Sequence, residues 1–325
     1  MQYILRNKNT FAIKAVILKA IRDFFDQEGF LEVDTPCLVT SPDPSPFNEV
    51  FKIEGKDLYL TPSPEFFIKK VLSFGIKNVY QITKAYRDWQ ENDPTHLNEF
   101  TILEWYRDNA DYTNLMVDCE NLISHITKNL KLGTLIYQGQ EINLNQPWQR
   151  ITCKEAFKKY ANVNLDDFMN ILVARQICQK KGYQVTGQNT WEELYHQIFL
   201  NEVEPKLPKH QPLILYDYPA PLAALSQIKT TDPNYAERME FYIGGLELGN
   251  GYSELTDPVE QEKRLIADME ERKRKKMKVF DYDRQLVAAL KKGLAKTAGI
   301  ALGIDRLVML FTDSTDIHEV TPFSI

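Results

Sequence analysis

Apolar residues recur every three or four positions at Ile13, Ile17, Ala20, Ile21 and Phe24, which predicts an amphipathic helix over 9–27. Gly29 ends it, and Phe30-Leu31-Glu32-Val33-Asp34-Thr35-Pro36 reads as an extended strand. Pro42, Pro44 and Pro46 stand at alternate positions and exclude helix and ladder alike, so 41–46 is a loop. Ser63-Pro64-Glu65 opens a helix, with serine as its N-cap and proline in first position, that runs to about Phe74 and stops at Gly75. Period-two alternation predicts strands over 79–87 and 99–106, joined by a polar loop over 88–98 and followed by a helix over 112–132.

In the middle of the chain the period changes. From 152 to 207 helix follows helix, with capping boxes at Thr152/Glu155 and Thr190/Glu193. This stretch, about 150–210, reads as a helical subdomain inserted into a strand-rich domain. Strands return over 213–218 and 237–248, helices over 258–278 and 282–292, and a strand then a helix fill 299–311. Strands joined by hairpins, with helices outside them, predict an α+β fold on an antiparallel sheet, not a doubly wound one.

Composition narrows the function only a little. The 325 residues are 43% hydrophobic and 26% charged, as in soluble globular proteins. A net charge of −6 and a pI near 5.6 argue against nucleic-acid binding. The four cysteines are dispersed without a CxxC pair, which fits thiols in a reducing compartment, and the five histidines form no metal motif. Lys14 and Lys19 interrupt the apolar stretch 11–21, and no cleavage site follows it, so neither a signal peptide nor a membrane span is expected. A cytoplasmic location follows.

Charged residues in apolar surroundings carry the chemistry. Alternation puts Phe100, Ile102, Glu104 and Tyr106 on one strand face, where an unpaired carboxylate is costly. Glu104 is there either for a structural ion pair or for a ligand's ammonium group. A two-residue turn at Gly244-Gly245 pairs Ile243 with Leu246 and Tyr242 with Glu247. Glu240 and Glu247 then become diagonal neighbours on one face, roughly 7–8 Å apart between backbones. Such a pair is either solvated or holds a cation; Mg²⁺ with ATP phosphates suits two carboxylates. Arg87 ends a strand and Arg306 begins a helix after a glycine-rich strand, and guanidinium forks match phosphate oxygens. Gly249, Gly251, Gly299 and Gly303 allow close backbone approach to a ligand. There is neither a GxxxxGK[ST] nor a GxGxxG after a strand. The basic run 272–276 is either a solvated helix face, balanced by nearby glutamates, or a docking patch for an acidic macromolecule.

Three segments together resemble the signature motifs of class II aminoacyl-tRNA synthetases. Gly29 through Pro36 looks like motif 1, Arg87 through Tyr106 like motif 2, and Gly299 through Leu310 like motif 3. Within the class, Ser63-Pro64-Glu65 and Glu247-Leu248-Gly249-Asn250-Gly251-Tyr252-Ser253-Glu254-Leu255 resemble lysyl-type blocks. The resemblance implies one class II catalytic domain over 1–325, dimerising through motif 1. It implies that Glu65, Glu104 and Glu254, with Tyr106 and Ser63, receive a lysine ammonium group, and that Asn250 contacts the amino acid's polar head. Arg87 becomes the arginine on the α-phosphate and the amino-acid carboxylate, and Arg306 the one on the ATP tail. Asp88, Trp89, His96, Phe100, Glu247, Leu248 and Gly303 complete the nucleotide site, and Glu240 with Glu247 hold magnesium.

Two departures point to a particular branch. Motif 1 begins near residue 29, which leaves no room for the N-terminal anticodon-binding barrel of lysyl-tRNA synthetases. Ala301 replaces a glycine common in motif 3 and reshapes the floor of the amino-acid pocket. Both are similar to the elongation factor P lysine ligases, synthetase paralogues that attach lysine or (R)-β-lysine to a lysine of elongation factor P. By this resemblance the acceptor is that protein and not tRNA; the basic run 272–276, read as a docking patch, is the surface expected to meet it. Motif 2 itself departs from the usual pattern, reading Arg87-Asp88-Trp89, with Glu91 or Trp89 left to meet the adenine. Three alternatives stay open: a truncated lysyl-tRNA synthetase, an amide ligase with a small-molecule acceptor, and a non-catalytic paralogue that binds lysine or nucleotide.

Overall fold

The computed structural model describes residues 8–46, 48–88 and 93–321. Helix α1 (Lys8–Gln27) precedes β1 (Leu31–Glu32), the short pair β2 (Leu38–Val39) and β3 (Tyr59–Leu60), and helix α2 (Glu65–Leu72). The hairpin β4 (Val79–Tyr86) and β5 (Glu99–Asp108) comes next, then α3 (Tyr112–Leu130), β6 (Leu135–Tyr137), β7 (Gln140–Ile142) and β8 (Gln149–Thr152). Residues 153–206 are helical: α4 (Cys153–Ala156), α5 (Leu165–Phe168), α6 (Ile171–Lys180) and α7 (Trp191–Ile198), with π-helical turns after α4 and α7. The remaining order is β9 (Leu213–Pro219), β10 (Tyr235–Ile243), β11 (Leu246–Ser253), α8 (Pro258–Arg274), α9 (Arg284–Lys292), β12 (Thr297–Gly303) and α10 (Ile304–Thr312).

Eight strands form one sheet in the order β1-β4-β5-β12-β11-β10-β9-β8. The six inner strands are antiparallel, as the hairpins predict. Each edge strand runs parallel to its neighbour, however, so the sheet is mixed. The cause lies in the connections, because parallel neighbours need a crossover. The path from β1 to β4 passes through α2, and the path from β8 to β9 passes through the whole helical run.

Alternation along each strand separates two faces. Leu103, Trp105, Ile300, Leu302, Met239 and Phe241 point into the main core, under α1, α3 and α10. The helical run has its own core around Phe157, Phe168 and Tyr195, joined to the sheet through Leu213 and Leu215. Both capping boxes form, with the Thr152 and Thr190 hydroxyls accepting from the amides of Glu155 and Glu193. Helix α2 stops at Leu72, two residues short of expectation, and α8 stops at Arg274 instead of 278. The strand expected over 30–36 shrinks to Leu31–Glu32, the two residues that pair in register with β4, although the Val33 amide still donates to the Tyr80 carbonyl at 2.9 Å.

The basic run at the end of α8 is not a uniform face. Arg272 is fully buried; it donates to the carbonyls of Ser45, Asn48 and Lys278 and to Glu49 Oε2. It therefore braces the loop over 45–49 and is no part of a docking patch. Arg274 pairs with Glu271 across one helical turn, and Lys275 lies 3.7 Å from the same carboxylate.

Candidate active site

Register across the sheet assembles the site. Glu104 sits opposite Gln81 on β4 and Ala301 on β12; Ala301 opposes Asn250, and Asn250 opposes Glu240. Directly opposed residues share a face, so Gln81, Glu104, Ala301, Asn250 and Glu240 form one row on the face away from the main core. The next row runs Tyr106, Gly299, Tyr252, Arg238.

A plain ladder from the Gly244-Gly245 turn would send Glu247 and Asn250 to opposite faces. The register instead shifts between Phe241 and Tyr242: Tyr242 pairs with Glu247, but Phe241 pairs with Gly249. Leu248 is the extra residue of a β-bulge, and it brings Glu247 and Asn250 onto the same face.

At one end of the row lies a carboxylate pocket. Glu104, 2% exposed, accepts from Ser63 Oγ at 2.6 Å and from the Tyr106 hydroxyl at 2.9 Å. Burial, with Glu65 adding to it, pushes its carboxyl up to about 7. The Ser63 hydroxyl also accepts from the Glu65 amide at 3.0 Å, although Pro64, not Ser63, occupies the N-cap position of α2. The structural ion pair considered for Glu104 does not form among the described residues. Glu65 and Glu254 are the ones that pair, and both pair with Lys69. The Lys69 ammonium, fully buried, lies 2.6 Å from Glu65 Oε1 and 2.6 Å from Glu254 Oε2. The Tyr252 hydroxyl donates to Glu65 Oε1 at 2.7 Å. Burial lowers the Lys69 pKa, and the two carboxylates outweigh it, so the ammonium stays charged. Gly299 is forced by this packing: a Cβ there would lie 2.3 Å from both Glu254 Oε1 and a Tyr106 ring carbon. Gly249 and Gly251 likewise face Phe241 and Ile300, while a Cβ at Gly303 would meet nothing closer than 3.9 Å. Gly249, Gly251 and Gly299 thus admit the protein's own side chains, whereas Gly303 leaves open space beside the cavity at the other end of the row.

At the other end lies a cavity of about 180 Å³ lined by Arg87, His96, Phe100, Glu247, Asn250 and Arg306. Leu248, Ala301 and Gly303 border it as well. The Arg87 guanidinium stands over the Phe100 ring at 5.2 Å, and its Nε is buried with no hydrogen-bond partner among the described residues. Arg306 is bound on three sides, donating to the carbonyls of Thr95 and Glu247 and to His96 Nε2 at 2.6 Å. His96 Nε2 must therefore be unprotonated, and burial together with Arg306 lowers the imidazole's pKa accordingly. Asp88 donates its amide to the Glu49 carbonyl at 2.9 Å, and Trp89 and Glu91 lie outside the described residues.

The two expected magnesium ligands differ from each other. Glu240 is saturated: Oε1 accepts from Arg238 at 2.8 Å, and Oε2 accepts from the hydroxyls of Tyr218 and Tyr242. Glu247 is more open, with Oε2 3.9 Å from Arg306, and burial and Glu240 raise its carboxyl. Glu247 thus fits Mg²⁺ as a direct oxygen ligand, whereas Glu240 would first have to release Arg238. Among the described residues no three histidine, cysteine or acidic side chains group closely enough to hold a metal alone.

Lys69, Arg238, Gln81, Asp43 and Asp305 escape a reading by motif. Lys69 follows Glu65 by four positions on a helix and Arg238 precedes Glu240 by two on a strand, both recognisable pair spacings. Asp43 has no such signal; burial and Glu65 push its carboxyl up to about 7. Asp305 joins Lys14 Nζ at 2.6 Å to the Thr101 amide, tying α1 and α10 to β5.

The sequence pattern of the tRNA synthetases class II (D, K and N) matches residues 4–325. A lysine–tRNA ligase of Pelotomaculum thermopropionicum is 35% identical over 325 residues, covering 98% of this chain and 63% of the relative. Those of Carboxydothermus hydrogenoformans and Moorella thermoacetica are 34% and 35% identical, over 98% and 97% of this chain and 65% of each relative. The chain thus spans slightly under two thirds of the length of these relatives. With its mixed eight-stranded sheet and flanking helices, the chain belongs to the class II tRNA synthetases of the D, K and N group.

Proposed function

We propose that the protein uses ATP to activate lysine or (R)-β-lysine as an aminoacyl-adenylate and transfers it to a lysine side chain of elongation factor P. One observation carries the activation step. Arg87 presents a buried Nε, without a partner among the described residues, at the cavity that begins where the Glu104 row reaches Ala301 and Asn250. An anion at Arg87 and an ammonium group at Glu104 are the two ends of an amino acid whose carboxylate meets a phosphate. In this reading the carboxylate attacks the α-phosphate in line and pyrophosphate leaves; an acceptor amine then takes the acyl group and releases AMP. Arg87 opposes the charge growing at the α-phosphate, Arg306 holds the outgoing phosphates, and Asn250 orients the amino acid. Magnesium, when bound at Glu247, supplies further neutralisation of the phosphates.

The protein acceptor is supported by Ala301 in the row beside Glu104 and by the acidic net charge. The names of the relatives favour a second reading, in which tRNA is the acceptor. Dimerisation through motif 1 is supported by Leu31, an apolar residue of that segment exposed to 52%. The deciding experiment is the intact mass of elongation factor P after incubation with this protein, Mg-ATP and either L-lysine or (R)-β-lysine, with a parallel tRNA-charging assay. One added lysyl unit supports the proposal and ranks the donors. A charged tRNA with unmodified elongation factor P establishes the second reading instead, and no pyrophosphate release in any mixture overturns both.

A further inference from the structure

Three carboxylates meet in the ammonium pocket, and the protein supplies one buried cation for them. Glu65 and Lys69 come from α2, Glu104 and Tyr106 from β5, and Tyr252 and Glu254 from β11 and the residue just after it. Arg87, on one side, opposes the rise at the Glu104 carboxyl, and the Asp43 carboxyl faces the charge of Glu65. Lys69 takes one oxygen of Glu65 and one of Glu254 and stacks its ammonium over the Tyr252 ring at 5.7 Å. Glu254 Oε1 is buried without a hydrogen-bond partner among the described residues, wedged against Gly299. Glu104 is the only one of the three with no ion pair among the described residues; its contacts are two hydroxyl donors.

We propose that Lys69 is a positioning residue that makes the pocket a one-for-one exchanger: it commits Glu65 and Glu254 to itself and leaves Glu104 to trade one proton for the substrate's ammonium group. This rests on the proposed lysine-binding function and adds who carries the charge. Before lysine enters, burial and Glu65 raise both the Glu104 and the Glu254 carboxyls. The Lys69 ammonium pairs with Glu254 and opposes the rise there, so the exchangeable proton belongs to Glu104, which has only hydroxyl donors among the described residues. On binding, that proton leaves for solvent and the carboxylate receives the ammonium, so one cation replaces another. A pocket with no internal lysine would hold more protons and exchange more than one; a pocket with one carboxylate fewer would exchange less than one.

The test is calorimetric titration of L-lysine into the full-length protein without ATP, at intervals from pH 6 to 8.5. The slope of log affinity against pH counts the protons displaced. Lys69→Met should bind lysine at least ten-fold more weakly at pH 7 and show a steeper slope than the unaltered protein. Glu254→Gln should show a shallower slope, and Lys69→Met/Glu254→Gln should return to the original slope. Nucleotide affinity should stay within about two-fold in all three. A lysine that only braces the fold would lower stability and leave the slopes unchanged, so equal slopes overturn the assignment. If Lys69→Met does not fold, Glu254→Gln and the double variant still decide it, since each makes its own prediction about slope. Failure of the unaltered protein to bind L-lysine at any pH would overturn the proposed function as well, whereas normal binding with equal slopes overturns only the role of Lys69.

Discussion

The two ends of the active row use charge in opposite ways. Around Glu104 the protein supplies its own counter-ion, and hydroxyls or Lys69 meet most carboxylate oxygens before any ligand arrives. Around Arg87 the balance is left open: a guanidinium nitrogen is buried with no partner among the described residues, and Glu247 carries a carboxyl raised by burial and by Glu240. The closed end suits a small, rigid group that must be told apart from near analogues, because an ill-fitting group leaves buried charge unpaired. The open end suits a large, highly charged group that completes the electrostatics on binding.

The sharpest way to break this comparison is at Arg87. Arg87→Ala should lower lysine-dependent pyrophosphate release by roughly 10²–10³-fold, measured by isotope exchange into ATP, while L-lysine binding without ATP, still anchored by its ammonium at Glu104, should weaken far less. A parallel loss of lysine binding would mean that the two ends are not separate.

Stability should separate them too. Removing the ammonium in Lys69→Met strands two buried carboxylates and should cost about 3–5 kcal/mol in urea denaturation. Glu247→Gln removes a charge that Glu240 repels, so it should lose activity with no loss of stability. Equal destabilisation by both would erase the distinction between a closed and an open end.

The smallest effect expected is on pH dependence. The Glu104 carboxyl, raised to about 7, is neutral below that pH and accepts an ammonium group only above it. Lysine affinity should therefore fall about ten-fold per unit as pH drops below 7, and ATP affinity should not change with it. For stability the sign is opposite. The folded state binds this proton more tightly than an unfolded glutamate near 4.3, so the group's contribution favours folding at low pH and is lost as pH rises through 7.

Much of this molecule was legible in its sequence. The periodicity of α1, the Gly244-Gly245 turn and the two threonine capping boxes each rest on local rules that the tertiary structure does not overrule. The edge strand β8 was not legible and β1 was expected too long, because four and two residues are too few to show a period and their pairing depends on distant partners. The placement of Glu104 on a face with Ile102 and Tyr106 comes from alternation, but its lack of an ion pair does not. Lys69 illustrates why. Its spacing from Glu65 identifies a surface-type pair on an isolated helix, and only the packing of α2 against β11 and Gly299 turns that pair into a buried triad with Glu254. Arg272 shows the converse, a residue in an exposed-looking basic run that the fold places wholly inside.

The bulge at Leu248 bears on how this strand tolerates changes in length. Because Leu248 has no partner of its own between the pairs Tyr242–Glu247 and Phe241–Gly249, shortening the chain by that one residue preserves the facing of every group on either side. The same deletion placed between Gly251 and Glu254 would invert the remainder of the strand and turn Glu254 away from Lys69. Leu248 thus sets which face Glu247 shows relative to Asn250, and its own side chain, buried in the main core, holds the bulge in place.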